Sequence, residues 1–258
     1  MKNLVLYSVE DRIATITINR PEKRNALNPD LVKALTNAFI QAEEDDLAKV
    51  VVLNANGGTF SAGADLEYLQ QLQYNTFEEN VADSNNLKKL FTTIYYLPKV
   101  VIAQVEGHAI AGGCGLATIC DIVFATPESN FGYTEVKIGF VPAIVSCFLM
   151  QKVNETIAKE ILLTGKIFHA EQALKYNLIN FVTNSSEIHL KVREFALSLC
   201  KESSGNSLMI TKQLINQTTK PLLEKTLETA IQINARVRES EDFKKGIASF
   251  LNKEKINW

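Results

Sequence analysis

Twice in this sequence a valine-rich run without polar alternation breaks into a glycine-containing turn and then a helical pattern, at 49–71 and again at 99–118. Consecutive apolar residues in a strand mean burial on both faces, which is the mark of a sheet covered by helices on either side. Strand, turn and helix in repeated order then demand a layered α/β architecture rather than a bundle or a sandwich. With 258 residues, the chain is long enough to bury a large core around such a sheet.

The flanking segments read in the same terms. "NLVLYSVEDRIATITIN" predicts two short strands with a turn at Glu10–Asp11. Asn28-Pro29 opens a helix whose apolar face is Leu31, Leu35, Ala38, Phe39 and Ala42. A longer helix over 76–97 stops at Pro98, and from about residue 185 onward the patterns are only helical. Phe243, Ile247, Phe250 and Leu251 form one apolar stripe near the C-terminus. No low-complexity linker intervenes, so the expected organisation is a core over 1–195 followed by a helical segment over 196–258.

Composition narrows the function classes. A net charge of −2 gives no case for nucleic acid or an anionic membrane. No apolar stretch reaches the ~18 residues of a membrane span, and Glu10, Asp11 and Arg12 interrupt the N-terminus before an export signal could form. The expectation is a soluble cytoplasmic protein. Its four cysteines (Cys114, Cys120, Cys147, Cys200) form no Cys-x-x-Cys pair and read as buried thiols; the three histidines lack metal-ligand spacing, so no metal is expected.

Chemistry points to the two turns. Helix starts present N–H groups without intrahelical partners, and small residues let a ligand approach them. Ala62-Gly63 facing Gly112-Gly113 could aim two N–H groups at one oxygen, forming an oxyanion hole; the same glycines could equally serve tight strand–helix packing. No P-loop and no Gly-x-Gly-x-x-Gly is present. Glu135 sits among Phe131, Val136, Ile138 and Phe140, surroundings that raise a carboxyl pKa and suit proton transfer. A solvated face or a salt bridge to Lys137 is the alternative.

"RPEKRNALN" at 20–28, "FSAGADL" at 60–66, "GGCGLATICDIVFAT" at 112–126 and "FGYTEVKIGFVPA" at 131–143 resemble, in order and spacing, the crotonase (enoyl-CoA hydratase/isomerase) superfamily. The resemblance extends over essentially the whole chain. It implies a crotonase/ClpP-like spiral of repeated ββα units carrying an acyl-CoA site, then C-terminal helices for oligomerisation or a lid, in a homotrimer or a hexamer of two trimers. It implies Ala62 and Gly112 N–H groups as the oxyanion hole and Glu135 as the catalytic carboxylate. Lys23, Arg24, Ala26, Gly63, Ala64, Asp65, Leu66, Gly113 and Gly115 are implied to line the substrate and coenzyme A channel. No metal, flavin or nicotinamide is implied, because coenzyme A is part of the substrate.

One departure matters. In the two-glutamate hydratases the residue after "GGC" is the first catalytic Glu; here it is Gly115. Moving a double bond from C3 to C2 needs only one proton-transfer group, so the acid count favours an isomerase. The chain also resembles a bacterial branch assigned to methylglutaconyl-CoA hydration in leucine breakdown, in which a glycine here would open room for a branched or carboxylated acyl chain. Hydration is therefore the first expectation, Δ3,Δ2-enoyl-CoA isomerisation the second, and a catalytically silent CoA- or RNA-binding member the third. Glu67, Tyr68 and Glu106 are the other polar groups near the turns, and none is expected to replace the missing acid.

Overall fold

In the computed structural model, which describes residues 3–258, the chain opens with an antiparallel hairpin of β1 (Val5–Glu10) and β2 (Ile13–Ile18). Its turn residues are Asp11 and Arg12, at φ 50° and 67°, as a two-residue type I′ loop requires. The turn is thus one residue later than expected, because Glu10 still pairs with Ile13.

Three strand pairs follow: β3 (Val50–Ala55) with β4 (Thr59–Ser61), β5 (Val100–Val105) with β6 (His108–Ile110), and β7 (Ile122–Ala125) with β8 (Asn130–Gly132). The first member of each pair joins one sheet and the second joins another. With β9 (Phe168–His169) and β10 (Phe181–Val182), the sheets run β1-β2-β3-β5-β7-β10 and β4-β6-β8-β9. Pairing from β2 through β3, β5, β7 and β10 is parallel, as is β4-β6-β8. This is the repeated ββα arrangement that the family resemblance implies.

Helices join the strands. α1 (Pro29–Glu44) follows β2, with Asn28 accepting from the Leu31 N–H at 2.9 Å as its N-cap. Its five expected apolar positions are all buried. Deleting one such side chain, Phe39 for example, costs about 3–5 kcal/mol. α2 (Leu66–Leu72) and α3 (Phe77–Tyr95) follow β4; a capping box at Thr76–Glu79 starts α3. α4 (Gly112–Thr118) follows β6. A 3-10 turn (Glu135–Ile138), α5 (Ala143–Lys152) and α6 (Glu155–Thr164) follow β8, and α7 (Ala170–Lys175) lies between β9 and β10.

α8 (Ile188–Glu202) covers the outer face of the six-stranded sheet through Ile188, Val192, Ala196 and Cys200. The division drawn at 195/196 therefore passes through this helix. α9 (Gly205–Val237) packs on α3 and α5. α10 (Glu241–Leu251) turns back onto α2 and the 3-10 turn. Phe243 and Ile247 of its stripe are buried, whereas Phe250 is half exposed. All four cysteines are free and buried. Among the described residues, no helix is long and apolar enough to cross a membrane.

Candidate active site

The motif "KRNAL" acts first as a structural clamp. Arg24 and Asn25 both take positive φ, 51° and 54°, which asparagine tolerates better than most residues. Buried Asn25 donates to the Asn56 and Thr59 carbonyls at 2.9 and 2.7 Å and accepts from the Arg20 N–H at 2.8 Å. Asn25 is a residue that motif reading did not single out; its signal is the turn propensity of Asn between two charged residues and an apolar helix start.

This clamp fixes the 61–65 loop. The Ala62 N–H donates to the Arg24 carbonyl at 3.1 Å, so it is not available to a ligand. The expectation that Ala62 is an oxyanion donor is corrected here. Two residues on, the Gly63 carbonyl accepts from the Leu27 N–H at 2.7 Å and the Asp65 N–H donates to the Leu27 carbonyl at 2.8 Å. Across a trans peptide the carbonyl and the following N–H point in opposite directions. The Ala64 N–H is therefore directed away from Leu27, and Ala64 borders the cavity.

The second turn is sharper. Ala111 sits at φ 51°, ψ −123°, a conformation that costs about 1–3 kcal/mol for a residue with a Cβ. It is held by the Ala111 N–H to the Gly132 carbonyl at 2.7 Å and by the Gly115 N–H to the Ala111 carbonyl at 3.0 Å. The strain turns the chain abruptly from β6 into α4, so the Gly112 N–H lies at a helix start with no intrahelical acceptor and a positive dipole end behind it. Gly63, at φ 87°, joins the turns: a Cβ there would lie 2.9 Å from Ala111 Cβ and 3.6 Å from Gly112 N. Ala64 and Gly112 thus sit on two backbones in direct contact.

Glu135 begins the 3-10 turn after β8 and is 7 % exposed. Its Oε2 is buried without a hydrogen-bond partner. Burial pushes its pKa up to about 7, against a weak opposing bond from its own N–H. No ion pair to Lys137 forms among the described residues, so the salt-bridge alternative falls away.

A cavity of about 1250 Å³ collects these groups. Ala64, Gly112 and Glu135 line it together, along with Lys23, Arg24, Ala26, Ala62, Asp65 and Leu66. Gly63, Gly113 and Gly115 do not line it. A Cβ at Gly113 would lie 2.3 Å from the Ser61 carbonyl oxygen, so that glycine serves close packing of β4 and α4. A Cβ at Gly115 would meet Val145 Cγ1 at 2.5 Å and Phe91 Cε1 at 2.8 Å. The glycine does not open room for an acyl branch; Val145 and Phe91 occupy the space.

The remaining acids have other duties. Asp65 caps α2 and pairs with Arg20 at 2.6 Å. Burial acts to raise its carboxyl, but Arg20 and the cap N–H groups outweigh it and hold the pKa below the usual value. Glu67 pairs with Lys23 at 2.6 Å on the exposed rim. Glu106 accepts from Gln104 at 2.8 Å near His189, outside the cavity lining. The Tyr68 hydroxyl donates to Asp83. Glu135 is left as the one acid of this group that faces the cavity without a partner.

Two strands per turn, distributed to two sheets that are parallel from β2 to β10 and from β4 to β8, with glycine-walled helix starts between them, define the crotonase fold. The enoyl-CoA hydratase/isomerase family model matches residues 8–258, and the chain belongs to that family. A Thermus thermophilus protein provisionally named an enoyl-CoA hydratase is 41% identical over 244 residues, covering 93% of this chain and 95% of its own. A trans-2-decenoyl-[acyl-carrier-protein] isomerase from Streptococcus mutans is 26% identical over 96% of this chain and 95% of its own. The crystal structure of an enoyl-CoA hydratase from Mycobacterium avium superposes over 100% of both chains with a TM-score of 0.89 at 31% identity.

Proposed function

We propose that the protein hydrates a 2-enoyl-CoA, using Glu135 alone as acid and base. The observation that carries this reading is the unpartnered Glu135 Oε2 of a carboxyl whose pKa burial pushes up to about 7, in one cavity with Ala64 and Gly112. The thioester carbonyl would accept from the Ala64 and Gly112 N–H groups, which stabilise the enolate oxygen as charge develops. The protonated Glu135 delivers its proton to C2 through one oxygen. Its other oxygen takes the proton of the water whose hydroxyl adds to C3. Water is consumed whole and the carboxyl ends as it began. Both transfers occur from one face, so addition is syn.

Lys23, Arg24, Ala26, Asp65 and Leu66 would border the coenzyme A moiety, with Arg24 at the mouth as the cation for its phosphates. A branched, carboxylated chain such as methylglutaconyl-CoA is the substrate the sequence resemblance favours, although the space for its branch is not at Gly115, which Val145 and Phe91 crowd. Half-exposed or exposed Leu214, Ile215, Leu222 and Ile233 of α9 and Leu163 of α6 support assembly as a homotrimer or a dimer of trimers.

A second reading, Δ3,Δ2-enoyl-CoA isomerisation, is favoured by one observation: Val145 and Phe91 fill the place where a second carboxylate would stand. Ionised Glu135 would then remove a proton from C2 and return it at C4. Absorbance of the conjugated enoyl thioester separates the two. Loss of absorbance from a 2-enoyl-CoA supports hydration; gain from a 3-enoyl-CoA, with no loss from the 2-enoyl-CoA, supports isomerisation.

A further inference from the structure

α2 does not rest on the main core. Its buried Leu69 and Leu72 pack with Phe243 and Ile247 of α10 in a separate small cluster, to which Ala64, Tyr68, Ile138 and Phe140 also attach. The elements carrying Ala64 and Glu135 thus share a satellite core closed by the chain's own last helix. Backbone contact tightens it: a Cβ at Gly246 would lie 2.1 Å from the Ile138 carbonyl, and one at Gly139 2.2 Å from the Asp242 carbonyl.

A polar chain crosses this cluster. Arg238, at the end of α9 and 4 % exposed, pairs with Asp83 of α3 at 2.7 Å. It also donates to Asn234 at 3.1 Å and Asn80 at 3.2 Å, and its guanidinium lies 5.9 Å from the Phe140 ring centre. The other Asp83 oxygen accepts the Tyr68 hydroxyl. Arg238 therefore fixes Asp83, and Asp83 fixes Tyr68 in the first turn of α2, four residues beyond Ala64.

We propose that Arg238, which lines the cavity together with Asp83 and Tyr68, is a positioning residue that through them latches α2 to α3 and so steadies the wall of the site beyond Ala64. The Arg20–Asp65 pair and the Leu27 bonds anchor the start of α2, while beyond it the short helix has two buried leucines and the Tyr68 bond, which as a charge-assisted hydrogen bond is stronger than a neutral one. When α2 undocks, the cavity loses the wall that Leu66, Tyr68 and Leu69 supply while both sheets remain folded. The observed affinity for a ligand then falls by the fraction of molecules still docked.

The inference rests on the acyl-CoA reading of the site, yet it is tested without turnover. Arg238→Gln leaves the partly buried Asp83 without its cation and Asn80 and Asn234 without their donor, and endangers folding; Tyr68→Phe removes only the hydroxyl from the latch. Amide hydrogen exchange of the full chain is measured at 66–72 and in β3 and β5, and binding of saturated butyryl-CoA is followed by calorimetry. Tyr68→Phe is expected to speed exchange in α2 about tenfold, to leave β3 and β5 unchanged, and to weaken butyryl-CoA binding several-fold. Unchanged exchange in α2, equal acceleration in β3 and β5, or unchanged butyryl-CoA affinity each overturns the latch. Failure of the hydration reading shows separately, as butyryl-CoA binding without hydration of a 2-enoyl-CoA.

Discussion

Gly115 and Val145 are packed so closely that a Cβ on the glycine would stand 2.5 Å from Val145 Cγ1. The missing carboxylate is therefore part of the core packing, not an empty place that another residue could refill. Gly115→Ala is expected to destabilise the fold by about 1–3 kcal/mol through overpacking. Thermal unfolding of Gly115→Ala against the Gly115→Ala/Val145→Ala pair checks it: the second change should return part of the lost Tm.

Glu135 predicts opposite pH slopes for the two reactions. Hydration needs the neutral carboxyl, so kcat/KM on a 2-enoyl-CoA should fall as pH rises through about 7. Isomerisation needs the carboxylate and would fall as pH drops through the same value. Rate profiles from pH 5.5 to 8.5 with both substrates distinguish the slopes.

The same burial gives a stability signature. A carboxyl whose folded pKa is raised from 4.5 to about 7 contributes stability below pH 4.5 and loses it as pH rises through 7. Glu135→Gln should therefore stabilise the protein at pH 8 by up to about 3 kcal/mol, with the gain vanishing near pH 4. Denaturant unfolding at the two pH values measures it. An equal effect at both would contradict a buried, ionising Glu135.

Replacing backbone N–H groups tests the oxyanion assignment. Gly112 is the first residue of α4, where proline is tolerated in a helix. Gly112→Pro and Ala64→Pro, each checked for a native circular-dichroism spectrum, should lose about 10²–10³-fold in kcat. Ala62→Pro removes a bond to Arg24, so it should lower Tm more than it lowers kcat in the molecules that remain folded.

Much of this was legible in the residues. Hydrophobic runs ending in glycine marked β3 and β5 and the layered α/β class, the family resemblance implied the second strand of each pair, and Asn28-Pro29 marked the start of α1. The direction of the Ala64 N–H was not legible, because it is set by pairing with Leu27, 37 positions upstream. The role of Gly115 was hidden for the same reason: Phe91 and Val145 reach it from α3 and α5. Arg238 lies on the last turn of a largely exposed helix, and nothing in its local pattern distinguishes it from neighbouring Arg236. Phe250 fits the α10 stripe by period, yet the satellite core is too small to cover it.

Hydration by one carboxyl makes turnover depend on Glu135. The most direct measurement follows the enoyl-thioester absorbance of crotonyl-CoA with the wild-type chain and with Glu135→Gln. Hydration through Glu135 predicts loss of absorbance with the wild type and a rate lower by about 10²–10⁴-fold in the variant. Absorbance that persists with the wild type, while a 3-enoyl-CoA gains it, would contradict hydration and identify an isomerase.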